Sequence, residues 1–237
     1  MIGGHSWSFG RDWIQEIYDA EKITNLSLPG AGNRFISDSV ISHLSRESTV
    51  DKVLVCGSGL NRIDIPLPKK LRPNWQSDSF QGETEDAIYH TNHMAPWRDK
   101  DVKIPIDTEL VRMMYQEKDY RSVKAQSLIG LLNLQNFLKI KDMDYRFCFM
   151  YDYTNKDFDH NHLTGEGHDG YSTMGTVDKD NVYLAQIDQS RVLMPYGIDW
   201  AMKQKEDLFQ DSIHLTDDGY RKWARELLKS YHRWHNI

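Results

Sequence analysis

Short apolar runs alternate along the chain with stretches of helical spacing, and the alternation reads β-α-β-α-β. Trp13, Ile14, Ile17 and Tyr18 fall on one helical face, and Lys22 to Leu28 reads as a short strand closed by Pro29-Gly30. Ile36, Val40, Ile41 and Leu44 make the next helical stripe. Val53-Leu54-Val55-Cys56 is continuously apolar and ends at Gly57-Ser58-Gly59, the pattern of a parallel strand covered on both faces. Arg146 to Tyr153 is a second run of this kind. Residues 62–143 read as an insertion rich in proline and tryptophan, followed by a crossover helix patterned from Asp107 to Ile140. Residues 154–180 read as a polar loop beside the sheet edge. In the last helix, Thr216 is placed to cap, Asp217 and Asp218 sit in the electropositive first turn, and Tyr220, Trp223, Ala224, Leu227, Leu228 and Tyr231 recur at helical spacing.

Composition narrows the class. The 237 residues can bury a sizeable core, and 29 Lys and Arg against 35 Asp and Glu leave a net charge of −6 with no basic run. Nucleic acid is thereby disfavoured as a ligand. No apolar stretch reaches the roughly 18 residues of a membrane span, and Leu128 to Leu138 is broken by Asn133, Gln135 and Asn136. The opening residues lack the pattern of a secretory signal, so a cytoplasmic location is the expectation. Cys56 and Cys148 form no C-x-x-C pair and are expected to be buried free thiols.

Ligands of an open parallel sheet bind beyond the carboxyl ends of its strands. Three turns there carry chemistry: Gly4-His5-Ser6-Trp7-Ser8, Pro29-Gly30-Ala31-Gly32-Asn33 and Gly57-Ser58-Gly59-Leu60-Asn61. A fourth segment, Asp211-Ser212-Ile213-His214-Leu215-Thr216, precedes the final helix. Acyl transfer to a serine requires a nucleophile, an imidazole to take its proton, a carboxylate to orient that imidazole, and donors for the oxyanion. The four segments contain all of these residue types. Singly each is weak, since Asp-x-x-His can be a plain helix-capping turn and Ser6 and Asn61 can be turn residues.

Taken together and in order, the four blocks resemble those of the SGNH (GDSL-like) hydrolase family. Gly4-His5-Ser6-Trp7-Ser8 is similar to its Gly-Asp-Ser-x-Ser block, Gly30 to its second-block glycine, Gly59-Leu60-Asn61 to its Gly-x-Asn block, and Asp211-Ser212-Ile213-His214 to its closing Asp-x-x-His block. The resemblance implies a flavodoxin-like three-layer α/β/α sandwich, a single domain over 1–237, with a central parallel sheet of order 2-1-3-4-5. It implies Ser6 as nucleophile, His214 as base and Asp211 as its partner. The oxyanion hole would be the N–H groups of Ser6 and Gly30 and the amide of Asn61, with Gly32 as the alternative donor. Two positions depart from the family: His5 stands where aspartate precedes the serine, and Arg62 where aspartate commonly follows the asparagine.

Trp7 and Arg62 adjoin the proposed site and are expected to contact substrate. The expected activity is a serine esterase acting on a short acyl ester, such as acetyl, of a carbohydrate or other polar small molecule, without metal or cofactor and away from membranes. An O-acyltransferase using the same triad and an inactive carbohydrate-binding relative are the alternatives. Asp159-His160-Asn161-His162 with His168 is a rival site for a divalent ion, its plainer reading being a solvated loop.

Overall fold

A computed structural model of the chain describes residues 1–3, 23–28, 31–47, 49–60, 62–68, 81–84, 87–93, 121–155, 175–204, 207–210 and 214–235. In chain order these form β1 (Ile2–Gly3), α1 (Asn33–Leu44), β2 (Lys52–Gly57), β3 (Arg62–Pro68), β4 (Gln81–Glu83), β5 (Ala87–His93), α2 (Arg121–Ile140), β6 (Asp144–Phe149), α3 (Gly197–Ala201) and α4 (Asp217–His235), with short 3-10 turns at Leu184–Gln186 and Gln189–Arg191. The class is α/β, as the alternating pattern predicts.

β1, β2 and β6 make a parallel sheet in that order. Beyond its two edges the backbone continues as single parallel bridges, Asn25 beside Ile2 and Val192 beside Phe147. Both outer segments are hydrogen-bonded to the sheet: Ile2 N–H donates to Thr24 O at 2.9 Å, and Leu193 N–H donates to Phe147 O at 2.7 Å. β2 is buried on both faces, which is why Val53 to Cys56 carries no polar residue. Helices α1 and α2 pack together on the sheet through Phe35, Ile36 and Val40 on one and Leu128, Leu131, Leu134 and Leu138 on the other. Their backbones approach closely at Gly130, where a Cβ would lie 3.1 Å from Arg34 Cα. Cys56 and Cys148 face each other in register as free, buried thiols with Sγ atoms 3.1 Å apart. Their hydrogen bond and then burial push the Cys148 thiol well up, so it stays protonated.

Two expectations change. The single continuous sheet becomes two, because β3, β5 and β4 pair antiparallel as a separate sheet inside 62–143. β3, which carries Pro66 and Pro68, is an edge strand among the described ones, the position where a sheet tolerates proline. The strand read from Arg146 to Tyr153 runs instead from Asp144 to Phe149. Residues 150–153 leave the sheet as turns, although Met150, Tyr151 and Tyr153 stay buried. The crossover helix occupies 121–140, and the part of the pattern from Asp107 to Tyr120 lies outside the described residues. Among the described residues no helix is long and apolar enough to cross a membrane.

Candidate functional site

β1 ends at Gly3, β2 at Gly57 and β6 at Phe149, so the three parallel strands open onto one edge. Two of the turns singled out above meet there. The Asn33 side chain, at the first position of α1, accepts from Ser58 N–H at 2.7 Å and donates back to Ser58 O at 3.1 Å. Its amide also donates to Ser127 Oγ on α2 at 2.8 Å. Asn33 is fully buried, so each bond is made away from water and losing one would strand its partner. Tyr153 donates its hydroxyl to the same Ser58 carbonyl at 2.6 Å. Burial pushes that phenol well above its ordinary value, which keeps it a donor. Tyr151, also pushed up by burial, accepts from Leu60 N–H at 3.4 Å.

The start of α1 is finished from another element. Gly32 occupies the N-cap and has no side chain to bind the free N–H groups of the first turn. Asp64 of β3 takes that role, accepting from Gly32 N–H at 3.0 Å and from Phe35 N–H at 2.9 Å. A Cβ at position 32 would lie 2.4 Å from Asp64 Oδ2, so this close approach requires glycine. Arg62, two residues earlier on the same strand, donates to Ala31 O at 3.0 Å. Arg62 and Asp64 are 9% and 4% exposed. Burial pulls the Arg62 guanidinium down to about 10, while the Asp64 charge opposes that shift. Asp64 is thus the carboxylate that serves this turn, from a position not anticipated in the sequence.

The described residues on either side of 211–213 pair with each other ahead of α4. Phe209 and Leu215 pair antiparallel, Gln210 N–H donates to His214 O at 2.8 Å, and Thr216 N–H donates to Leu208 O at 2.8 Å. Thr216 caps α4 as expected, its hydroxyl accepting from Gly219 N–H at 3.0 Å. Gly219 has a further reason to be glycine, since a Cβ there would sit 2.8 Å from Leu208 O. Helix α4 is locked from its other side by Trp223, whose indole N–H donates to Pro195 O at 2.8 Å. His214 is half-buried, next to the bridged Leu215 and two residues ahead of the cap of α4.

Of the anticipated site residues, His214 and Arg62 are described. Ser6, Trp7, Gly30, Asn61 and Asp211 lie outside the described residues, as do His160, His162 and His168. Arg62, expected to touch substrate, is turned into the protein against Ala31. The N–H of Gly32, the alternative oxyanion donor, is already given to Asp64. Sequence reading missed Asp64, Ser127 and the two tyrosines. An Asp alternating with Arg on a strand, and tyrosines just past a strand end, were their only signals. Among the described residues no group of three or more His, Cys, Asp or Glu could hold a metal ion. Comparison of the chain with protein-family models, with curated proteins and with solved structures found no match.

Proposed function

We propose that the chain is a serine esterase that removes a short acyl group, acetyl in the simplest case, from a carbohydrate or other polar ester. Ser6 Oγ attacks the ester carbonyl and passes its proton to His214, which Asp211 orients. The oxyanion is held by the N–H groups of Ser6 and Gly30 and by the Asn61 amide. His214 then protonates the leaving alcohol, and water hydrolyses the acyl-enzyme.

The observation that carries this reading is the reciprocal pair between Asn33 and Ser58. It joins the turn that contains Gly30 to the turn that contains Asn61, each three residues from the joint, at the carboxyl edge of a parallel sheet. β1, which the Gly4-His5-Ser6 block follows in the sequence, ends on that edge. With Gly32 committed to Asp64, Gly30 is the glycine of that turn we assign to the oxyanion. We read the sheet as the centre of a flavodoxin-like order 2-1-3-4-5, a reading supported by the parallel bridges at Asn25 and Val192 on its two edges.

Hydrolysis of 4-nitrophenyl acetate and labelling by a fluorophosphonate test the assignment. Ser6→Ala should abolish both, and Asn61→Ala should lower turnover by roughly 10²–10³ without unfolding the protein. Wild-type turnover in Ser6→Ala would refute the esterase.

A further inference from the structure

A cavity of about 290 Å³ opens at the carboxyl end of β6, beside the turn just described. Its wall toward the site is aromatic: Phe149 and Tyr153, with ring centroids 4.8 Å apart. Tyr153 is the residue that holds Ser58 O, so cavity and site share a side chain. The floor is built rather than incidental. Asp152 N–H donates to Asp199 Oδ2 at 2.8 Å and Asn155 donates to Asp199 Oδ1 at 2.9 Å, so α3 pins the loop that follows β6. The far wall, around Leu184 and Gln189, is fastened to α2 by the buried Gln135. Its amide donates to Gln186 O at 3.0 Å and accepts from Asp188 N–H at 2.7 Å, bracketing Ile187.

Three polar groups in the lining have capacity to spare. Asp152 Oδ1 accepts from Thr154 N–H and Oγ, both at 2.8 Å, while Oδ2 has no partner among the described residues. The Lys179 ammonium and the Tyr196 hydroxyl likewise make no hydrogen bond or ion pair among the described residues. Burial first, then the Asp152 and Asp199 charges, push the Tyr196 phenol up to about 12, so it remains a donor at neutral pH. The open set is therefore one acceptor and two donors, with charges that cancel.

We propose that this cavity binds one neutral pyranose ring. Vicinal hydroxyls each donate and accept, which matches a carboxylate oxygen facing an ammonium and a phenol. The C–H face of a sugar suits the Phe149 and Tyr153 wall. Pockets for small ligands start at about 300 Å³, so the volume takes a single ring rather than a chain. A free anion would face Asp152 and a free cation Lys179, so neither is well served. Binding stands apart from the esterase chemistry; only the further assignment of this ring to the alcohol half of the ester rests on that reading.

The test is titration of the full chain with methyl β-D-glucopyranoside, methyl β-D-galactopyranoside and N-acetyl-D-glucosamine, and separately with glycine and L-serine, by saturation-transfer NMR and calorimetry. At least one pyranoside should saturate a single site. Its affinity should fall roughly tenfold or more in Asp152→Asn and in Lys179→Met. Asp152→Asn keeps the acceptor for Thr154, and Lys179 is exposed without a partner among the described residues, so both variants should melt like the wild type. Absence of pyranoside binding, binding of the amino acids instead, or wild-type affinity in both variants would overturn the proposal. If the pyranoside binds with these losses but neither 4-nitrophenyl acetate nor an acetylated pyranoside is hydrolysed, the cavity stands and the esterase reading falls.

Discussion

In the parallel sheet Val53, Leu54 and Val55 are wholly buried and meet helices of matching apolar faces, whereas in β3 of the antiparallel sheet Arg62 and Asp64 are the buried side chains among those described. The first sheet is held by area removed from water, which has no direction and tolerates small shifts. The second is tied to α1 by three directed hydrogen bonds, to Ala31 O, Gly32 N–H and Phe35 N–H. The difference teaches where each is vulnerable. An apolar contact fails in proportion to the atoms removed, while a buried charged contact fails by stranding its partner.

That contrast can be broken experimentally. Asp64→Ala should have the largest effect, about 3–5 kcal/mol in denaturant unfolding, because it leaves Arg62 buried without its counter-charge and two helix N–H groups without an acceptor. Hydrogen exchange at Gly32 and Phe35 should accelerate in that variant, and unchanged exchange there would mean that α1 does not depend on β3. Leu54→Ala should cost about 3 kcal/mol through the cavity left in the parallel sheet, raising exchange throughout β2 rather than at α1. Thr216→Ala should cost about 1 kcal/mol and loosen only the start of α4, read as faster exchange at Gly219. The smallest effect concerns pH. Hydrogen bonding from Ser190, then Lys139, holds the Asp188 carboxyl below its ordinary 3.8. Its contribution is fully present above that value and is lost as pH falls through the lower folded value. Asp188→Asn should therefore lower the neutral plateau slightly and flatten the acid limb by the same small amount, the two proteins converging at low pH. A steeper acid limb would mean the wrong sign.

Legibility in the sequence followed the same contrast. β2, α1, α2 and α4 carry apolar periodicity that reports the faces they bury, so hydropathy finds them. Cys56 and Cys148 were placeable as buried because each lies in an apolar run, while their place on neighbouring strands follows the 2-1-3-4-5 order that the family resemblance implies. β3 gave no comparable signal, since Arg62 and Asp64 read as solvent-facing while the structure buries both. Likewise Arg62 was read as a substrate contact because an arginine beside a site asparagine looks free. Its partners come from a turn some thirty residues away, which no local pattern reports. Tyr151 and Tyr153 were read as strand residues because burial alone does not separate a strand from a buried turn. Of the candidate site, the joining of the second and third turns is in the structure, but Asn33, the residue that does the joining, has no sequence signature beyond its place after two glycines.

The bracket that Gln135 places around Ile187 has a consequence for how specificity could diversify. One side chain stands in for a missing strand partner, fixing the backbone of 186–188 from behind while Leu184, Ala185 and Gln189 present themselves to the cavity. Substitutions at those three positions can therefore retune what the cavity accepts without re-registering the sheet. Change at 135 would instead release the whole wall at once. In a lineage or a directed-evolution library, variation should collect at 184, 185 and 189 and spare 135, a division of labour between a fixed frame and an exchangeable face.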